Sequence, residues 1–252
     1  MSKALIQEEA HAEILQIGLN NPPVNALDSP LLQALRNALE KARDNCSIRS
    51  VVLTGQGKCF SAGLDLQFVL SFNNSQRRKL IEDLTLTLRS LYGFPKPVLA
   101  AVNGHAIAGG TILALACDYR IAVDTSSLMG LTEIRVGIPF PVCARVIVHT
   151  ELDHSVARRL SLTGETMPTT QAINLGLLDE LCKPKELLAC TTEKARELGQ
   201  IPAKAFGHIK EQLRGAALRE LDACIDSGEE PMFEQLDLDE ARQATQRVLK
   251  KQ

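Results

Sequence analysis

The chain has 252 residues, with 28 basic and 30 acidic side chains, and 45% of its residues are hydrophobic. A chain of this length buries most of its apolar surface, in one large domain or in one domain with a small appendage. A formal net charge of -2 excludes strong electrostatic attraction to nucleic acid or to an anionic membrane, so we expect neither as a partner.

The N-terminal sequence and the cysteine content both lead us to expect a cytoplasmic protein. No window is long and apolar enough for a transmembrane helix, and acidic residues near the N-terminus argue against a signal or transit peptide. The seven cysteines form no C-x-x-C pair, which favours reduced thiols and a cytoplasmic location.

The first third of the chain alternates predicted strands and helices. Apolar and polar residues alternate from Ala12 to Leu19, which predicts a strand, and Ser29-Pro30 predicts the cap and start of a helix to about residue 44. Residues 50–54 predict a second strand, and a turn of small residues at 59–66 follows it. A charged helical stretch then runs from about residue 75 to 91.

The stretch from Val98 to Arg120 is predicted to form the centre of the fold, as a buried strand, a turn and a buried helix. Its first five residues form a continuous apolar run, which predicts a strand covered on both faces. Asn103-Gly104 ends this strand, and a uniformly apolar run from Gly109 predicts a buried helix. The first turn of such a helix has unbonded N–H groups, which can bind an anion or an oxygen that becomes negative during a reaction.

The remaining chain is predicted to contain a strand from Tyr119 to Val123, then an acid, Glu133, between apolar neighbours, and an almost wholly helical pattern beyond about residue 153. Strands that alternate with helices indicate an α/β fold. No His, Cys, Asp and Glu cluster has metal-ligand spacing, so no metal is expected.

Five motifs follow one another along the chain: FSAGLDL at 60–66, NGHAIAGG at 103–110, CDYRIA at 117–122, TEIRVGI at 132–138 and LTGETMPTTQAINLGLLDEL at 162–181. In this order and spacing they resemble the crotonase (enoyl-CoA hydratase/isomerase) superfamily over nearly the whole chain. The resemblance implies a crotonase-type spiral of repeated ββα units over residues 1–190 and a helical C-terminal segment, 191–252, that aids trimerisation. It also implies an acyl-CoA substrate, a homotrimer or dimer of trimers, and no cofactor, because coenzyme A is part of the substrate.

The resemblance also implies the site residues. In the family two backbone N–H groups bind the thioester oxygen, and they map to Leu64 and Gly109. The residues implied to bind substrate are Ala62, Gly63, Leu64, Asp65, Leu66 and Gly109. Removing a proton beside a thioester puts negative charge on its oxygen, and two fixed donors in a dry pocket stabilise that charge. Taken alone, the glycines of the 104–110 turn are better explained by a tight strand-to-helix connection, and the paired SAGLD loop reverses that preference in favour of the site.

The acids distinguish the reactions of the family. Family hydratases hold one water with two glutamates, but the position three residues after Gly109 is Ile112, which can neither activate nor hold water. Dienoyl-CoA isomerases of the family carry aspartate there and also at the position of Pro141. The remaining family glutamate corresponds to Glu133.

One carboxylate and an oxyanion hole suffice to move a double bond. Glu133 is predicted to take a proton from C2 of a 3-enoyl-CoA and to return it at C4, and the sequence resembles the Δ3,Δ2-enoyl-CoA isomerases most closely. Its apolar flanks, Leu131, Ile134 and Val136, are expected to exclude water and to raise the pKa of the carboxyl group.

Three alternatives stay open at this point. The chain is alternatively a hydratase or dehydratase with one glutamate and a backbone-held water, or a non-catalytic acyl-CoA-binding member, because residues 139–144 depart from the glycine-rich family sequence. Glu133 is alternatively a structural ion-pair partner of Arg135 or Arg120. His105 is interpreted as a hydrogen-bonded loop residue, and Asp65 and Asp118 as braces for loops and strand ends.

Overall fold

The structure, a computed structural model, describes residues 4–249 except for the side chains of residues 67, 68 and 249. Its strands are β1 (Ile6–His11), β2 (Ile14–Leu19), β3 (Ser50–Gly55), β4 (Cys59–Ser61), β5 (Val98–Val102), β6 (His105–Ile107), β7 (Tyr119–Val123), β8 (Leu128–Gly130), β9 (Thr166–Pro168) and β10 (Glu180–Cys182). Its α-helices are α1 (Ser29–Asp44), α2 (Leu66–Ser71), α3 (Asn74–Tyr92), α4 (Gly109–Leu115), α5 (Val142–Glu151), α6 (His154–Thr163), α7 (Thr169–Ala172), α8 (Leu187–Gly199), α9 (Ala203–Ser227), α10 (Met232–Gln235) and α11 (Leu238–Leu249). Two 3-10 helices cover Glu133–Val136 and Ile173–Leu175.

The strands form two sheets, and successive strands along the chain belong to the larger and the smaller sheet in alternation from β3 to β8. The larger has the order β1-β2-β3-β5-β7-β10 and is parallel from β2 onward, and the smaller has the order β4-β6-β8-β9. The chain adds a strand to the larger sheet, then one to the smaller, and then forms a helix, as in β3-β4-α3 and β5-β6-α4. This confirms the predicted α/β spiral of ββα units.

Strand β5 lies at the centre of the larger sheet and is fully buried. Val98, Ala100 and Val102 belong to the main apolar core, whereas Leu99 and Ala101 belong to a second cluster that includes Leu187 and Ala195 of α8. Successive side chains of a strand point to opposite faces, so both faces of β5 are covered, as its uniform apolar run predicts.

Two sequence-based expectations about the fold are wrong in detail. The N-terminal strand prediction missed β1, which pairs with β2 in a hairpin whose turn includes Ala12 at φ 53°. The almost wholly helical pattern expected beyond residue 153 is interrupted by β9 and β10, each only three residues long. Such short strands leave too few residues for a periodic signal.

Helix α9 is fixed to the core by a buried ion-pair network. Lys210 Nζ and Arg214 Nη1 each lie 2.8 Å from the Asp118 carboxylate, and Arg214 Nε lies 3.0 Å from Glu151. The same aspartate accepts a 2.8 Å hydrogen bond from the N–H of Val98 at the start of β5, so Asp118 does brace a strand end. Helix α8 runs across the domain boundary predicted at residue 190, and that division stays a prediction.

Helix α11 returns to the spiral core and packs beside the 3-10 helix that begins at Glu133. A Cβ atom on Gly137 would lie 3.3 Å from Ala241 Cα, and Arg242 Nη2 donates to the carbonyl of Leu70 at 3.4 Å. Within residues 4–249 no helix has the length and apolarity needed to cross a membrane.

Candidate active site

The turn between β6 and α4 has a strained backbone. Ala108 adopts φ 51° and ψ −123°, a conformation that L-residues rarely occupy, immediately before the first residue of α4, Gly109. The N–H of Ala108 donates to the carbonyl of Gly130 at 2.8 Å, which fixes the turn on β8. A Cβ on Gly110 would lie 2.0 Å from the carbonyl oxygen of Ser61, so only glycine lets the helix begin against β4.

The loop after β4 approaches this turn closely. Gly63 has φ +78°, and its carbonyl accepts a 2.8 Å hydrogen bond from the N–H of Leu27. A Cβ on Gly63 would lie 2.8 Å from the Gly109 nitrogen, and a Cβ on Gly109 would lie 3.8 Å from the Leu64 nitrogen. Among the described residues, neither the Leu64 N–H nor the Gly109 N–H donates a hydrogen bond. Two unbonded backbone donors therefore lie side by side.

These loops open onto a cavity of about 710 Å³, a volume suited to a small-molecule ligand. Of the six predicted substrate-binding residues, Ala62 to Leu66 line it, whereas Gly109 does not, and the Glu133 side chain is not part of its wall either. The wall also includes His105 and Leu128 from the smaller sheet and Thr245 and Val248 from α11.

Glu133 is the first residue of its 3-10 helix, and its neighbours Thr132 and Val136 line the same cavity. Its Oε2 atom is closed to solvent and has no hydrogen-bond partner among the described residues. Burial raises the pKa of this carboxyl group to about 7, although backbone hydrogen bonds of Glu133 and Thr132 act in the opposite direction. The carboxyl group therefore exchanges a proton near neutral pH.

The structural ion-pair interpretation of Glu133 is wrong for the described part of the chain. Arg120 instead bonds Asp179, with Nε 3.0 Å from the carboxylate, and Arg135 Nε donates to the carbonyl of Thr163 at 3.4 Å. No ion pair of Glu133 is formed within residues 4–249.

The apolar surroundings of Glu133 differ from the expectation at one position. Leu131 is fully buried and Val136 is 7% exposed, but Ile134 is 48% exposed. Ile134 therefore does not shield the carboxyl group. It points instead toward Gly164, where an added Cβ would lie 2.9 Å from its Cγ2.

The two positions where other branches carry acids are apolar here. Ile112 lies in the first turn of α4, is 3% exposed and packs in the main core. Pro141 immediately precedes α5. Neither position supplies a carboxylate that could share the work of Glu133.

Several residues that shape the site carry no obvious sequence signal. Asn25 adopts φ 51° and its Nδ2 donates to the carbonyl of Cys59 at 2.8 Å, which holds the start of β4. Thr111 Oγ1 donates to the carbonyl of Ala106 at 2.6 Å beneath the strained turn. His105 accepts a 3.1 Å hydrogen bond from the Leu128 N–H at Nδ1, as expected for a loop residue, but it also lines the cavity.

No group of three or more His, Cys, Asp and Glu side chains within the described residues is arranged to hold a metal ion. The described cysteines are all unpaired.

The motif order, the ββα spiral and the paired loops agree with the match to a family model. The model of the enoyl-CoA hydratase/isomerase family matches residues 9–251. The chain belongs to this family.

Relatives within the family carry hydratase, isomerase and dehydratase names, among them a putative enoyl-CoA hydratase of Thermus thermophilus that is 34% identical over 203 residues, covering 78% of this chain and 76% of that one. The chain is 35% identical over 184 residues to enoyl-CoA delta isomerase 1, mitochondrial, of Rattus norvegicus, covering 71% of this chain and 63% of that one. It is 33% identical over 202 residues to carnitinyl-CoA dehydratase of Salmonella arizonae, covering 80% and 77%. The crystal structure of human mitochondrial delta3-delta2-enoyl-CoA isomerase superposes with a TM-score of 0.91 at 25% identity, covering 99% of this chain and all of that one. These relatives establish an enzyme family and the crotonase fold.

Proposed function

We propose that the chain is an acyl-CoA isomerase that moves the double bond of a 3-enoyl-CoA to the 2-trans position. The observation that carries the proposal is the Glu133 carboxyl group, whose Oε2 atom is closed to solvent with no hydrogen-bond partner among the described residues and whose pKa is raised to about 7. The paired donors of Leu64 and Gly109 and the apolar Ile112 support it, since they favour enolate chemistry with one acid.

In this mechanism the thioester oxygen accepts hydrogen bonds from the Leu64 and Gly109 N–H groups. Ionised Glu133 removes a proton from C2, and the electrons of the broken C–H bond delocalise to the thioester oxygen as a dienolate. The two N–H donors stabilise this charge as it develops. The protonated carboxyl group of Glu133 then returns the proton at C4, which leaves the double bond between C2 and C3. Coenzyme A is part of the substrate, and the mechanism uses no other cofactor.

A single carboxyl group can perform both steps because its pKa is matched to the task. A pKa near 7 keeps a large fraction ionised at neutral pH and also makes the protonated form a competent acid.

The proposal includes self-association as a homotrimer, alone or as a dimer of trimers. Helix α9 exposes an apolar stripe in which Ile209 is 57% and Leu213 is 75% exposed, with exposed Ala205 and Ala216 on the same side. Exposed apolar residues at helical spacing favour contact with another protein surface, and a second copy of the chain is the simplest partner.

The test supplies purified protein with 3-hexenoyl-CoA and, separately, with crotonyl-CoA. We expect isomerisation of the first and little hydration of the second. Glu133→Gln should lower isomerisation by about a hundred- to ten-thousand-fold, the usual contribution of a general acid and base, while acyl-CoA still binds. Glu165→Gln, at a partly exposed carboxylate paired with Arg159, is the matched control and should retain activity.

Hydration of crotonyl-CoA without isomerisation would contradict the proposal. It would favour the single-glutamate hydratase or dehydratase, which the likeness to carnitinyl-CoA dehydratase keeps as the second candidate. Binding of acyl-CoA without turnover of either substrate would identify a non-catalytic member.

A further inference from the structure

The inward face of α11 forms part of the cavity wall. Ala241, Thr245 and Val248 follow one another at spacings of four and three, so they share one face of the helix. Ala241 is fully buried and packs on Gly137, and Thr245 and Val248 line the cavity. Thr245 is the polar member of this face.

The hydroxyl group of Thr245 is buried and unpaired. The residue is 5% exposed, and its Oγ1 is closed to solvent with no hydrogen-bond partner among the described residues. Helical threonines usually donate to the carbonyl four residues earlier. Thr87, Thr150 and Thr191 of this chain do so at 2.7, 2.8 and 2.8 Å. Thr245 departs from this pattern, and it does so at the ligand cavity.

A buried hydroxyl group without a hydrogen-bond partner costs free energy, so a ligand that supplies a partner is favoured over one that does not. A water molecule held inside a protein needs two to four polar partners, and the neighbours of Thr245 on this face, Ala241 and Val248, offer no side-chain donor or acceptor. A helical threonine has two accessible χ1 orientations, so its hydroxyl can turn toward the cavity without displacing the helix. These conditions favour a partner that the ligand itself brings.

We propose that Thr245 is a specificity-determining residue that hydrogen-bonds an oxygen substituent on the acyl chain of the bound thioester. The inference rests on the proposed function in one respect, that an acyl-CoA occupies this cavity. An acyl chain with a hydroxyl group gives the Thr245 hydroxyl a partner in the cavity, whereas a plain hydrocarbon chain leaves it only the backbone carbonyl of Ala241, four residues earlier in α11. The difference of one hydrogen bond favours the ligand that carries the matching group by a modest factor.

The test measures equilibrium binding of hexanoyl-CoA, 3-hydroxyhexanoyl-CoA and 5-hydroxyhexanoyl-CoA to the full chain by titration calorimetry. These saturated ligands cannot isomerise, so binding is separated from turnover. Thr245→Val keeps the shape but removes the hydroxyl, and Thr245→Ser keeps the hydroxyl. Thr191→Val is the matched control, because Thr191 is also a buried helical threonine but lies in α8, outside the cavity wall.

We expect Thr245→Val to weaken at least one hydroxylated ligand about 3- to 10-fold, the usual effect of deleting one hydrogen bond, and to leave hexanoyl-CoA unchanged or bound more tightly. Thr245→Ser should keep the preference of the wild-type protein, and Thr191→Val should not alter it. The position of the responding hydroxyl, on C3 or C5, locates the contact along the chain.

Equal shifts for all three ligands in Thr245→Val would mean that the hydroxyl binds a fixed water or serves packing only, and the inference would be overturned. If the wild-type protein still isomerised 3-hexenoyl-CoA, the proposed function would stand without it. Failure of the wild-type protein to bind any of the three ligands would overturn both. Thermal unfolding of each variant identifies loss of fold, and if Thr245→Val does not fold, Thr245→Ala, which also removes the hydroxyl, takes its place in the same comparison.

Discussion

Gly63 offers a direct test of the paired-donor arrangement. Its φ of +78° is unfavourable for any residue with a Cβ, and an alanine Cβ at this position would lie 2.8 Å from the Gly109 nitrogen and 3.1 Å from the Ile107 carbonyl oxygen. The left-handed conformation alone costs alanine about 1 to 2 kcal/mol. The close contact acts separately, because the methyl group of Gly63→Ala covers or displaces the Gly109 N–H.

Gly57 provides a control with the same backbone cost and no contact. Its φ is +81°, and a Cβ added there meets no atom within 4 Å. Gly57→Ala should therefore lower the free energy of unfolding by about 1 kcal/mol, after the stiffer unfolded chain offsets part of the strain. Its isomerase activity should not change.

Gly63→Ala should also remove one oxyanion donor, which typically lowers kcat about a hundred- to a thousand-fold. The assay compares kcat for 3-hexenoyl-CoA in both variants at a temperature where circular dichroism shows both folded. If folded Gly63→Ala retained kcat within about threefold of Gly57→Ala, the assignment of the Gly109 N–H to the thioester oxygen would be refuted.

Five further outcomes follow from Glu133, Ala108, Asp118 and Leu213, of which Glu133 carries two. Since burial raises the pKa of Glu133 to about 7, kcat/KM for isomerisation should rise with pH through about 7 and level off above it; a flat profile between pH 5 and 9 would contradict this. The same carboxyl group binds a proton more tightly when folded, so unfolding free energy should fall by up to about 3 kcal/mol as pH rises from 4.5 past 7, and Glu133→Gln should lose this dependence in denaturant titrations. Ala108→Gly relieves a φ of 51° and should raise the free energy of unfolding by up to about 1 kcal/mol while kcat falls, because the turn before the donor gains freedom; reduced stability would argue against strain. Asp118→Ala leaves the buried Lys210 cation without a carboxylate, while Arg214 keeps Glu151, and should cost about 3 to 5 kcal/mol in urea unfolding, unlike a surface aspartate. Leu213→Glu should shift sedimentation toward the monomer, and an unchanged assembly would place the interface elsewhere.

The sequence predicts β2, β3, β5 and β7 of the larger sheet but misses its other two strands, β1 and β10. Residues 98–102 and 119–123 match β5 and β7 in extent. The continuous apolar run of β5 marks a strand with two covered faces, whereas β7 also contains Arg120. The first helix is also predicted, although its cap is Asp28, whose carboxylate accepts from the Leu31 N–H at 2.8 Å, rather than Ser29.

The smaller sheet and β1 could not be predicted from local patterns. All but one residue of β1 is exposed, so it has no apolar alternation, and β4, β6 and β8 have three residues each. Their pairing depends on partners far along the chain, such as Ala106 opposite Met129.

In the candidate site, too, the sequence identifies the residues but does not show how they pack. Motif resemblance identifies Leu64, Gly109 and Glu133, and the closeness of the first two is a fact of packing between separate loops. Glu133 Oε2 and Thr245 Oγ1 are buried without a hydrogen-bond partner among the described residues because of how the 3-10 helix and α11 pack, and no residue pattern encodes that packing. The catalytic and binding roles of these residues stay predictions.

The packing of α11 on the 3-10 helix also bears on the order in which the site is assembled during synthesis. The cavity wall joins residues 62–66 to Thr245 and Val248, which leave the ribosome about 180 residues later. Closing such a distant contact costs loop entropy that earlier, local contacts do not offset. The loops at 62–66 and 104–110 can therefore form on the nascent chain while the cavity is still open on one side, and α11 closes that side when it emerges.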